Sequence, residues 1–171
     1  MAELPKAVAE KVGELKRELE ELEREAREDI PAEMASAQSV GPVRENADMY
    51  LVAGRAHYLQ GRILSLRQRL KSLLSMNPAA IPRDRAGYGS VLTLKDVDTG
   101  ETRTVRLASP EEATGSNVCS LLSPMGKALR NHKAGDEVEV YTPGGMHVYS
   151  VESLQTLFDQ EEAAGADTEG G

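Results

Sequence analysis

Ser39-Val40-Gly41-Pro42-Val43-Arg44-Glu45-Asn46-Ala47-Asp48 separates two long apolar repeats, and how it is read decides the fold. Before it, Val8, Val12, Leu15, Leu19, Leu22, Ala26 and Ile30 recur at steps of four and three. After it, Met49, Val52, Ala56, Leu59, Ile63, Leu66, Leu70 and Leu73 recur in the same way. Each set is one apolar stripe along a helix, the pattern of a coiled-coil seam. Neither stripe is buried by its own helix, and a short connector lets the two fold back on each other. The expectation is an antiparallel coiled-coil hairpin over residues 4–77, with the quoted stretch at its tip. Arms of roughly 30 residues would reach about 45 Å at the α-helical rise.

The charges between the apolar positions, such as Glu14, Lys16, Arg17, Glu18, Glu20, Glu21, Glu23, Arg24 and Glu25, read as solvated helix faces with i,i+4 pairing. Pro31 falls inside the outgoing repeat and should kink or restart it, because it lacks an N–H and crowds the preceding turn. Gly54 and Gly61 lie off the second seam and weaken that helix locally. Asn77, Pro78 and Pro82 end the second arm, and residues 78–87, rich in Pro, Ala and Arg, read as a linker.

Residues 88–158 have a different period. Tyr88 to Leu94 and Thr102 to Leu107 alternate apolar and polar residues around a turn at Asp98-Thr99-Gly100-Glu101, the pattern of a hairpin. Ser109 to Asn117 is a loop, and Val118 to Leu122 is a short apolar segment. Ser123 and Pro124 open a helix as N-cap and first residue, with Met125, Ala128 and Leu129 facing inward. Glu137 to Tyr141 and Met146 to Val151 form a second hairpin across Thr142-Pro143-Gly144-Gly145. The fold class is α+β: a helical hairpin followed by a small antiparallel β domain with one short helix. Residues 159–171 are small, acidic and end in glycine, and are expected to form a disordered tail.

The chain of 171 residues carries a formal charge of -8, which argues against direct duplex binding and suits a basic partner surface. Aromatic residues make up 4% and Trp is absent, so no large globular core is expected. The single Cys119 offers neither an internal disulfide nor metal-ligand spacing and reads as a small buried apolar residue. His57, His132 and His147 show no ligand spacing and read as structural or surface residues. No signal peptide and no membrane-length apolar run are present, so a cytoplasmic setting with no membrane partner is the default.

Taken together, Glu45-Asn46-Ala47-Asp48 opening the second arm, Ser123-Pro124-Met125-Gly126-Lys127-Ala128-Leu129, Gly135-Asp136 and Thr142-Pro143-Gly144-Gly145 resemble a bacterial Gre transcript-cleavage factor or one of its relatives. The resemblance covers roughly residues 4–157, and the Ser-Pro helix start followed by Thr-Pro-Gly-Gly is its most specific part. It implies an FKBP-like C-terminal domain that docks at the rim of the RNA polymerase secondary channel, through Ser123, Pro124 and Met125. It implies a coiled coil that enters the channel and brings its tip to the active site. In the family an Asp and a Glu at the tip help hold a second Mg²⁺ and position water, and the polymerase then hydrolyses the RNA 3′ end of a backtracked complex. A second divalent ion stabilises attacking and leaving oxygens, and carboxylates are its natural ligands. The factor would be an accessory protein and a monomer, with no intrinsic cofactor and no catalytic residues of its own.

The tip departs from the family pattern Gly-Asp-Leu-Lys/Ser-Glu-Asn-Ala. Glu45 occupies the Glu position, but Pro42 stands at the Asp position and cannot ligate a metal. Asp48, one helical turn beyond Glu45 at i+3, is the other candidate carboxylate, sharing a face with it so that both could point at an ion. Glu33 lies on the opposite arm. Gln38 and Ala53 fall where the family carries cations near the RNA 3′ end, and Arg44 and Arg55 are the candidate substitutes. Asn46 reads either as a tip contact or as a local cap. Two alternatives therefore stand beside a cleavage factor: a non-cleaving regulator that occupies the channel, and a self-associating coiled-coil adaptor that binds no polymerase. A prolyl isomerase rests on fold analogy alone and lacks the aromatic residues for a proline pocket.

Overall fold

The computed structural model describes residues 3–39 and 46–169. The chain divides into two compact units, Lys6–Met76 and the stretch from Asn77 onward with the few residues before Lys6.

The first unit is a helical hairpin of α1 (Lys6–Arg24), α2 (Ile30–Gln38) and α3 (Ala47–Leu74), with α1 and α2 packed along α3. Val8, Val12, Leu15, Ile30, Ala37, Met49, Leu59, Ile63, Leu66, Leu70 and Leu73 are buried. Leu19, Leu22, Ala26, Met34, Val52 and Ala56 are half-buried. Every residue of the two repeats is thus withdrawn from water, as pairing of the stripes requires.

A π-helical turn, Glu25–Asp29, separates α1 from α2. The outgoing repeat alternates four and three up to Ala26 and then steps four to Ile30, where the alternation would fall on Asp29. A π turn holds one residue more than an α turn, so it returns Ile30 to the seam. The wider turn also relieves Pro31, which has no N–H and whose ring would otherwise press on the Arg27 carbonyl. The helix restarts with Pro31 in its first turn, where a missing N–H leaves no bond unmade.

Ion pairs cross the hairpin on both sides of the seam. Arg62 Nη2 lies 2.6 Å from Glu18 Oε1, and Arg67 Nη2 lies 2.5 Å from Glu23 Oε1. Arg55 bonds Glu33 at 2.6 Å and also bonds Glu25. The sequence separation falls from 44 to 30 and 22 toward the tip, the signature of antiparallel arms. Local pairs are present on the same faces, Lys11–Glu14 and Arg24–Glu21 at i,i+3 and Arg24–Glu28 at the expected i,i+4, and the cross-hairpin pairs also lie on solvated helix faces. Each is worth little in stability alone, so together they act mainly on register.

The second unit is built on a five-stranded sheet in the order β3-β2-β1-β5-β4. Its strands are β1 (Val91–Asp96), β2 (Thr102–Ala108), β3 (Val118–Ser120), β4 (Glu137–Thr142) and β5 (Gly145–Gln155), with α4 (Pro124–Leu129) between β3 and β4. Leu92, Leu94, Val105, Leu107, Leu129, Val138, Val140 and Val151 form the core. Gly145 takes a φ of 121° at the end of the Pro143-Gly144 turn, where an L side chain is strained.

Three expectations need correction. The sheet is mixed, because β3 pairs with β2 in parallel, Leu107 opposite Cys119. The Ser109–Asn117 loop carries the chain back across the sheet end, so β3 enters in the same direction as β2. Residues 78–87 are not a free linker. They hold a 3-10 turn, Pro78–Ala80, and Ala86 lies in the core with its N–H donating to the His132 carbonyl at 2.8 Å. The tail is not disordered where the structure describes it, since α5 spans Leu157–Glu169. Thr156 and Asp159 form a reciprocal cap: the Thr156 N–H donates to Asp159 Oδ2 at 2.9 Å and the Asp159 N–H to Thr156 Oγ1 at 3.2 Å. Leu157 is buried against Gly89, which anchors the first turn.

Two tests follow from this packing. A Cβ at Gly126 would stand 1.9 Å from the Ser120 carbonyl oxygen, a backbone atom with no room to yield. Gly126→Ala should therefore destabilise the second unit by at least about 2 kcal/mol in urea unfolding. The second test concerns the turn after β1. The Asp96 carboxylate accepts from the Thr99 and Asp98 N–H groups, with the His147 ring nearby, and these partners hold it below the usual carboxylate range. A depressed folded pKa gives stability that is present at neutral pH and lost as pH falls through the carboxylate range. Asp96→Asn keeps an acceptor without a titrating proton, so the acid-side fall in the urea midpoint should be shallower than in the parent.

Candidate functional site

The tip is held by Asn46. It is buried, with extended backbone at φ -100° and ψ 97°, and it caps α3. Its Oδ1 accepts from the Asp48 N–H at 3.1 Å and the Met49 N–H at 3.3 Å. Its Nδ2 donates to the Ala37 carbonyl at 2.6 Å, one of the last carbonyls of α2. One side chain thus closes the end of one arm and the start of the other. Helix ends leave four donors or acceptors without intrahelical partners, and Asn, with both a donor and an acceptor, serves both ends at once.

Pro42, Arg44 and Glu45 lie outside the described residues. Asp48 is exposed in the first turn of α3, where a carboxylate is favoured by the helix dipole. The shared face expected for Glu45 and Asp48 involves a residue outside the described ones; of the pair, the structure places Asp48 alone, in the first turn of α3. Among the described residues no group of three or more His, Cys, Asp or Glu is placed to hold a metal ion.

Arg55 sits further down α3, and its guanidinium bridges Glu25 and Glu33 on the opposite arm. Those two carboxylates, Glu25 first, raise it above its ordinary value. As a tip cation it is already engaged within the hairpin. The sequence signal was available: Glu and Arg flanking an apolar seam are the positions that pair across a coiled coil.

At the other candidate surface, Ser123 caps α4: its Oγ accepts from the Gly126 N–H at 3.0 Å and donates to the Ser120 carbonyl at 2.6 Å. Pro124 is exposed at the first helical position, while Met125 is half-buried against the core. Leu122, 63% exposed, stands beside Pro124 and was not singled out from sequence. Cys119 is only half-buried, with Sγ 3.0 Å from Ser123 Oγ, because β3 is an edge strand. His132 Nδ1 is 3.2 Å from Asp136 Oδ2, and His147 Nδ1 is 3.7 Å from Asp96 Oδ2. Both pairs brace turns.

The Asn46 geometry predicts a split between two variants. Asn46→Ala loses the cap and the bond to Ala37, and should cost about 1–2 kcal/mol, with faster amide exchange in the first turn of α3. Asn46→Asp keeps the cap but loses the donor. Its exchange at Asp48 and Met49 should stay close to the parent's, while the arms loosen at Ala37.

Comparison with known proteins agrees with this layout. Residues 8–73 match the family "Transcription elongation factor, N-terminal", and residues 81–156 match "Transcription elongation factor, GreA/GreB, C-term". The chain is 33% identical over 141 residues to the transcription elongation factor GreA of Nautilia profundicola, covering 82% of this chain and 87% of that protein. It is 34% identical over 142 residues to GreA of Syntrophobacter fumaroxidans, covering 82% and 90%. Among solved structures, the GreA factor homolog 1 of Thermus thermophilus is similar at 24% identity with a TM-score of 0.39, covering 84% of this chain and 94% of that one. The chain belongs to the GreA/GreB family of transcription elongation factors.

Proposed function

We propose that this factor binds RNA polymerase through its C-terminal unit and inserts the hairpin into the secondary channel. There it acts on paused or backtracked complexes, mainly by occupying the channel. The observation that carries this reading is the closed hairpin. Among the described residues the two apolar stripes bury each other and Asn46 bonds both arms, so the repeats are satisfied within the chain, while Tyr50, Leu51, Tyr58 and Leu64 of α3 stay exposed outside the seam. That favours a probe acting as a monomer over a self-associating adaptor. Docking through the end of α4 rests on the exposed Pro124 and Leu122 beside the Ser123 cap.

Stimulated cleavage is the second reading. Asp48 is exposed and acidic, and Glu45 stands three residues before it in the sequence. Hard carboxylate oxygens suit Mg²⁺ shared with the polymerase active site. Pro42 removes the other carboxylate of the family pattern, so any cleavage should be weak. The setting of either activity is the cytoplasm, and contact with the nascent RNA 3′ end is indirect. Among the described residues no helix is long and apolar enough to cross a membrane.

The decisive experiment adds the purified protein, with Mg²⁺, to a stalled, backtracked elongation complex of its own polymerase and follows the RNA 3′ end. Competition with a cleaving Gre factor and little shortening is the expected outcome. Rapid shortening that disappears in Glu45→Ala would favour the cleavage reading. Neither shortening nor competition would overturn polymerase binding, and sedimentation as a dimer would then establish the adaptor.

A further inference from the structure

We propose that Arg55 is a positioning residue that holds the tip-side segment of the outgoing arm in register with α3, rather than a contact for RNA phosphate. The outgoing arm has one built-in weak point. Between Arg24 and Ile30 the α-helical ladder is replaced by a π turn, and Pro31 supplies no N–H. Everything beyond it, α2 and the connector to α3, is attached to the rest of the arm through this break. Arg55 reaches across from α3 and brackets the break. It bonds Glu25, the first residue of the π turn, and Glu33, which lies beyond Pro31, the latter at 2.6 Å. Asn46 pins the far end of the same segment at Ala37. Arg62 and Arg67, by contrast, pair with Glu18 and Glu23, both on the α1 side of the break.

The choice of Arg suits this geometry. A guanidinium presents separate donors in a fixed fork and can hold two carboxylates at once, whereas an ammonium is a single point of charge. A phosphate contact would need a cation available to a ligand, but this one is engaged by two acids of its own chain. Released from Arg55, residues 30–38 can rotate about the π turn. The end of α2 would then be displaced, although the seam from Val8 to Leu15 remains buried. The consequence for transcription rests on the polymerase reading above, whereas the clasp itself belongs to the free protein.

The test compares the full-length protein with Arg55→Lys, Arg55→Gln and Glu33→Gln. Amide exchange is measured across Ile30–Gln38, with Lys6–Arg24 as internal reference. Arg55→Lys and Arg55→Gln should both speed exchange in Ile30–Gln38 about three- to tenfold, the range that one or two such pairs supply, and leave the reference segment unchanged. Glu33→Gln should give a smaller increase. In polymerase assays the half-saturating concentration should stay within about twofold, while the maximal effect on stalled complexes falls. If Arg55→Lys matches the parent in exchange and in activity, positive charge alone suffices and the clasp is refuted. Unchanged exchange in Arg55→Gln refutes it equally, whatever the activity does. If the parent shows no effect on polymerase, the functional reading fails, and exchange still decides the clasp.

Discussion

Mutual burial of two apolar stripes is the constraint on which the hairpin depends. A helix with a single stripe leaves it wet unless a partner covers it, and here the partner is the same chain returning. This demand explains the π turn better than flexibility does. With Ile30 one residue late in the repeat, an uninterrupted α-helix would turn the tip-side segment about its axis and carry Ile30, Met34 and Ala37 off the seam. The extra residue of the π turn absorbs the slip, and Pro31 falls just where such a turn relieves it. The irregularity and the seam therefore have one cause.

The seam, the hairpin and the strand order of residues around both turns were legible because each rests on a period. Apolar spacing of three and four, or of two, survives in the sequence whatever surrounds it. What was not legible rests on contacts between distant residues or on short reciprocal motifs. Val118 to Ser120 has the right composition for a strand, but nothing local says that it pairs in parallel with β2. The helix after Thr156 was obscured because its body is acidic and small. Its signal is the Thr156-Leu157-Phe158-Asp159 box, which only counts once Leu157 has somewhere to be buried. Arg55 was read as a cation near the tip because the sequence shows its charge and not the two carboxylates across from it.

The two motifs by which the family is recognised turn out to be structural devices first. Ser123 and Gly126 work together: the hydroxyl joins the start of α4 to the Ser120 carbonyl, and the missing Cβ lets the helix approach that same carbonyl. Both are engaged within the unit, and what this corner presents to solvent includes Pro124 and Leu122. Asn46 likewise is fully occupied within the hairpin. A motif shared across a family can thus mark the rigid frame beside a functional surface instead of the surface itself.

This distinction bears on what Pro42 means. If the tip merely carried two carboxylates on a loose loop, replacing one would leave little reason to keep the rest of the apparatus. Yet the chain has the Asn46 staple between both arms and the Arg55 bridge around the break. Both devices fix the end of α2 against α3, and neither supplies a metal ligand. Under the proposed reading, an arm held in a defined position with one carboxylate fewer suits occupation of a narrow site better than chemistry at its end. Pro42 fits that reading, since a proline restricts its own φ and offers no side-chain oxygen to a metal.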